Sequence, residues 1–180
     1  VAVNVAYLLC RIADTIEDDN STAPARRAEL LEQFLRTLDD REAVAGALAV
    51  LPAFAALQSP IGAVYYAPEG TVGNQGYRPI HFQQVSVENN FSLYAGLKLL
   101  RAILQVELAG ETTLSTGETR TIQRALALIE TMIHGGTLDK RRTTAGLLDF
   151  FRNRAWRDGG FVQGGIANDP NAPDVWVPAL

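Results

Sequence analysis

The chain has too few cysteines to build on disulfides. Its one thiol, Cys10, can close no internal bridge, and it sits among Leu8, Leu9 and Ile12 as a small core residue would. No basic excess exists either: 20 acidic against 16 basic residues leave a net charge of -4, which gives a polyanion no broad positive face. Nucleic acid is therefore not expected as a partner. No apolar run approaches the roughly 20 residues needed to cross a bilayer, and no basic-then-apolar signal opens the chain. His81 and His134 are the only histidines, far apart and beside no cysteine, so neither has the spacing of a metal ligand. The chain opens at Val1 inside a helical pattern and stops at the apolar run VWVPAL, which reads as an internal piece of something larger.

What is present is helical periodicity. On a wheel of about 100° per residue, Val5, Leu8, Leu9, Ile12, Ala13 and Ile16 share one side of a helix over residues 1–19. Asn4, Tyr7, Arg11, Asp14 and Asp18 share a stripe roughly 80° wide. The turn DNSTAP follows. Ser21 or Thr22 can cap a second helix whose first turn accepts Pro24, and Leu30, Leu31, Phe34, Leu35 and Leu38 give it a buried side. An alanine-rich third helix spans residues 41–57, with Pro52 expected to bend or end it. Residues 59–79 hold three prolines and four glycines around Val64-Tyr65-Tyr66 and read as an irregular connection with room for one short strand.

Further on, residues 91–108 are apolar on most sides, as a helix packed on several faces requires. Ser115 with Glu118 three residues later forms a capping-box signature for a helix reaching about His134, and Gly135-Gly136 stops it. A shorter helix is expected over residues 144–154, before the glycine-rich loop WRDGGFVQGGIANDP. The expected organisation is mainly α: a helical segment over 1–57, a linker over 58–79 and a second helical segment over 80–180.

The acidic end of the first helix carries the chemistry. Asp14 and Asp18 are one turn apart and project to one side, with Glu17 adjacent and Arg11 one turn before. Magnesium is held by one or two carboxylates together with phosphate oxygens, which matches that donor set. Acids at a helix carboxyl end also oppose the helix dipole, a cost that a bound cation would reverse.

The run AYLLCRIADTIEDD, followed by PARRAELLEQFL, resembles the first aspartate-rich stretch of the squalene/phytoene synthase family over about forty residues. The resemblance implies an all-α prenyl-synthase-like fold and a magnesium-dependent head-to-head condensation of prenyl diphosphates. It implies that Asp14, Glu17 and Asp18 bind Mg2+, that Arg11 contacts the substrate diphosphate, and that Tyr7 is a catalytic residue lining the reacting centre. It also implies a cytoplasmic enzyme, with peripheral membrane association as a variant. The family carries a second aspartate-rich motif. None of the later acids, Glu88, Glu107, Glu111, Glu118, Glu130, Asp139, Asp149, Asp158, Asp169 and Asp174, falls in a paired acidic run on a helix, so the chain is expected to be incomplete for catalysis.

The second half resembles something else. HFQQVSVENNFSLYAGLKLL and LLDFFRNRAWRDGGFVQGGIANDP look like consecutive stretches of a carbohydrate-active α/α-toroid protein. A sugar site combines aromatic faces with polar hydrogen-bonders, and Glu88, Asn89, Asn90, Tyr94, Trp156, Asp158, Gln163, Asn168 and Asp169 are of those types. A non-catalytic helical interaction module is the third alternative.

Overall fold

The computed structural model describes residues 23–26, 28–30, 41–68, 74–75, 78–79, 83–110, 114–166 and 177–178. Among them the chain is mainly helical. Residues 24–26 and 28–30 are helical with Pro24 at the first position, as its locked φ and missing N–H favour. Helix α1 is Arg41–Leu57, and Pro52 lies inside it without ending it.

Helix α2, Val87–Ala109, starts earlier than the apolar pattern alone suggests because Ser86 caps it, its hydroxyl accepting from the Asn89 N–H at 3.2 Å. Its buried residues Val87, Asn90, Leu97, Leu100 and Leu104 fall three, seven, three and four apart, which is one stripe of a helix. Helix α3, Thr116–His134, begins on the expected capping box. The Glu118 N–H donates to Ser115 Oγ at 3.2 Å, and the Ser115 N–H donates to Glu118 Oε2 at 2.8 Å. It ends at Gly135, whose N–H returns to the Thr131 carbonyl at 2.9 Å.

Two short strands, β1 (Asn74–Gln75) and β2 (Arg78–Pro79), pair antiparallel before β3 (Gln84–Ser86) leads into α2. After α3 come β4 (Gly136–Asp139) and β5 (Arg142–Thr144), an antiparallel hairpin that corrects the expected helix start at residue 144. The helix there is only α4, Leu147–Phe150, continuing as a π-helical turn over Phe151–Ala155. The glycine-rich segment is a second correction. Its described part, residues 156–166, is not a loop but strands β6 (Trp156–Arg157) and β7 (Gly160–Ile166), with β7 paired antiparallel to both β3 and β8 (Val177–Pro178). Ladder pairing with β3, some eighty residues earlier in the chain, holds the glycine-rich backbone extended where local propensity would not.

One hydrophobic cluster joins α1 to β3, α2, α3, α4 and β7. Val44, Leu51 and Ala55 belong to it together with Leu104, Ile129, Met132, Leu147 and Phe150. The last five are fully buried.

The connection after α1 is held by buried polar side chains. Gln58 Nε2 donates to the carbonyls of Gly62 and Met132, both at 2.8 Å, and Ser59 Oγ donates to Ala63 O at 2.7 Å. Asn90 accepts from the Val64 N–H at 2.7 Å and donates to Val64 O at 3.1 Å and Ser86 O at 2.8 Å. Val64 therefore makes an isolated bridge with Gln58 rather than a strand. Gly146 closes this region from the other side. Its φ is +88°, and a side chain on it would strike the backbone of Ile133, His134 and Gly135, so only glycine permits the approach.

Candidate functional site

Tyr7, Arg11, Asp14, Glu17 and Asp18 lie outside the described residues, and so do His81, Glu111, Asn168, Asp169 and Asp174. Several of the described acids have assignable local work. Glu118 completes the capping box. Glu130 joins α3 to α2, its Oε1 2.7 Å from Arg101 Nη1, while its Oε2 stands 3.4 Å from His134 Nε2. Asp149 Oδ1 accepts from Asn153 Nδ2 at 2.7 Å.

Asp139 organises the β4–β5 turn. Its Oδ1 accepts from the N–H groups of Arg141 and Arg142 at 3.0 and 3.2 Å, and its Oδ2 accepts from Arg142 Nε at 2.6 Å. The Arg141 backbone N–H first, and then the Arg142 side chain, hold its carboxyl below the ordinary carboxylate range. Glu107 lines a hollow of about 230 Å³ with Val44, Ala102, Ile103 and Val106. Among the described residues no group of three His, Cys, Asp or Glu side chains could hold a metal ion.

The residues grouped as sugar-binding types separate on inspection. Asn90 is buried and its three hydrogen bonds brace the 58–66 connection, so it faces no ligand. Asp158 sits at φ +50° and Gly159 at φ +85° between Arg157 and Gly160, a two-residue hairpin turn that demands a left-handed backbone at both positions. Its place in the fold is explained by the turn. Glu88 and Asn89 lie in the first turn of α2.

Tyr94 and Trp156 are brought to one aromatic chain. Phe91 stacks on Phe151 with centroids 4.2 Å apart and planes 9° apart, and Tyr94 meets Phe151 edge-on at 5.8 Å. Phe161 meets Phe91 edge-on at 4.8 Å, and Trp156 meets Phe161 at 4.8 Å and 77°. Lys98 Nζ stands 5.7 Å from the centre of the Tyr94 ring. The chain of rings runs from the core to the surface, where Trp156 is 48% and Phe161 41% exposed.

Phe161 is the residue that sequence reasoning missed. Its signal was present: Asp158-Gly159 is a hairpin dipeptide, and in a two-residue hairpin the residues flanking the inner pair, Trp156 and Phe161, stand directly opposite.

No family model, curated protein or solved structure matches the chain. Among the described residues no helix is long and apolar enough to cross a membrane.

Proposed function

We propose that residues 1–45 form one half of a magnesium-diphosphate site of the squalene/phytoene synthase type, which binds a prenyl diphosphate. The observation that carries this reading is the single stripe of Tyr7, Arg11, Asp14 and Asp18, with Glu17 beside it. Carboxylates at i and i+4 converge on one side of a helix, and all donors are hard oxygens, the set Mg2+ takes.

Asp14 and Asp18 would hold the ion, with Glu17 as a third carboxylate. Arg11 would orient the diphosphate by paired N–H donors, and Tyr7 would line the reacting centre. Magnesium, when bound, would supply charge stabilisation to a departing diphosphate. A second acidic motif would be needed for the full cluster, so this chain is proposed to bind the diphosphate and to lack turnover alone.

Thermal unfolding with Mg2+ and a non-hydrolysable farnesyl diphosphate analogue tests the reading. The midpoint should rise only when both are present, and Asp14→Ala with Asp18→Ala should remove the rise. A folded wild-type protein whose midpoint does not move would overturn it.

A further inference from the structure

Asp158 and Gly159 form the sole Asp-Gly or Asn-Gly pair in the sequence. A two-residue hairpin selects that pair for its left-handed backbone, and the same pair is chemically labile. The backbone nitrogen that follows an aspartate can attack the side-chain carboxyl carbon, and glycine leaves that nitrogen uncovered by any side chain. Folding ordinarily blocks the attack by engaging the carboxylate or the N–H in hydrogen bonds. Asp149 is blocked in both ways: its carboxylate accepts from Asn153 Nδ2 at 2.7 Å, and the nitrogen after it, that of Phe150, donates to the Gly146 carbonyl at 3.1 Å. The Asp139 carboxylate accepts three hydrogen bonds from Arg141 and Arg142.

Neither restraint operates at Asp158. Arg157 and Gly160 are the partners that close the hairpin, which leaves the Gly159 N–H outside the ladder. Among the described residues neither that N–H nor the Asp158 carboxylate has a hydrogen-bond partner. The neighbouring Arg157 donates from Nε to the Arg154 carbonyl at 3.2 Å. Asp158 and Gly159 are both exposed, and a side chain built on Gly159 meets nothing within 4 Å, so the space over the reacting atoms is open. Asp158 is also the one non-glycine residue at positive φ among the described residues, +50°, a backbone conformation that crowds an L side chain.

We propose that Asp158 is a site of spontaneous isoaspartate formation, and that the modification opens the β6–β7 hairpin and separates Trp156 from Phe161. The Gly159 nitrogen bonds to Asp158 Cγ and gives up its proton, the protonated carboxyl gives up its hydroxyl, and one water leaves a five-membered succinimide. Water then adds back. Cleavage of the bond from nitrogen to the main-chain carbonyl carbon yields isoaspartate, with the chain running through Cβ and Cγ and a free carboxylate on Cα; cleavage of the bond to Cγ restores aspartate. No electrons are exchanged and the final mass is unchanged. Isoaspartate places one extra carbon in the backbone of a turn that has room for two residues, so Arg157 and Gly160 lose their register. The Trp156–Phe161 contact at 4.8 Å depends on that register. The proposal is independent of the magnesium site, since its residues lie between 156 and 161.

The test ages the whole folded chain in mildly acidic buffer, with circular dichroism confirming the fold throughout. Peptide mapping with electron-transfer fragmentation locates each isoaspartate, the intermediate appears one water lighter, and labelling by a protein isoaspartyl methyltransferase counts the product. Isoaspartate should form at Asp158 at least about tenfold faster than at Asp139 or Asp149, which serve as controls within the same molecule. Tryptophan emission should change in step with it. Asp158→Asn should convert faster still, releasing ammonia in place of water. Asp158→Gly keeps the turn and removes the carboxyl, so it should yield no product at 158 and an emission that stays constant on ageing. Three results would overturn the proposal: formation at Asp158 no faster than at the two controls, formation only when urea unfolds the chain, or conversion that leaves the emission unchanged.

Discussion

Arg142, in the hairpin that follows α3, donates from Nη1 to the carbonyl oxygen of Ala56 in the last turn of α1, at 2.8 Å. Helix α1 has no basic residue in its own last turn. Part of its carbonyl end is therefore satisfied by a cation brought from eighty-six positions later, and Asp139 aims that cation through its 2.6 Å contact with Arg142 Nε.

Replacing Arg142 should loosen the junction between α1 and the hairpin. Because its side chain is 42% exposed, solvent screens the interaction, and Arg142→Ala is expected to cost about 1 kcal/mol. Arg142→Lys should fall between, since it keeps the charge and loses the fork that reaches carbonyl and carboxylate together. Urea midpoints at neutral pH measure both. Equal stability of all three proteins would mean that the contact is ornamental.

The same pair sets a pH dependence. Asp139 has its pKa lowered on folding, so its stabilising contribution is complete above the ordinary value of 3.8 and is lost as pH falls through the lower folded value. Wild-type protein should therefore lose stability below about pH 4 more steeply than Asp139→Asn, which is weaker at neutral pH and flatter in acid. Parallel acid profiles for the two would contradict this assignment.

Asn90 offers a larger effect because it is buried. Asn90→Leu has similar volume but leaves the N–H and carbonyl of Val64 and the carbonyl of Ser86 without that partner. The expected cost is about 3 kcal/mol. Asn90→Asp should be at least as damaging: a carboxylate can accept from Val64 N–H but cannot donate to the two carbonyls, and it buries a charge. Denaturation midpoints decide, and a mild effect of Asn90→Leu would show that the 58–66 connection does not depend on it.

Local signals were the legible part of this fold. The Ser115–Glu118 box and the Gly135 stop are contained within a turn of chain, so residue type alone names them. The helix over residues 91–108 was legible for the same reason, but its apolar-on-most-sides pattern hid both the single buried stripe and the first turn that Ser86 caps. The Trp156–Phe161 hairpin was half legible. Asp158-Gly159 announces a turn, but four glycines in residues 159–165 erase the alternation by which a strand is recognised. The Tyr7 to Asp18 stripe rests on the spacing of those residues on an expected helix, and it lies outside the described residues.

The sequence by itself determined the mainly helical class, the Ser115–Glu118 cap with its Gly135 stop, and the hairpin dipeptide, because each rests on residues within a few positions of one another. Only the tertiary structure decided that β7 is a strand, that Asn90 is a brace instead of a ligand group, and that a ring chain from Phe151 through Phe91 delivers Phe161 and Trp156 to the surface. Those outcomes depend on pairing and packing between segments tens of residues apart, where the burial of one surface, and no property of the local sequence, selects the partner.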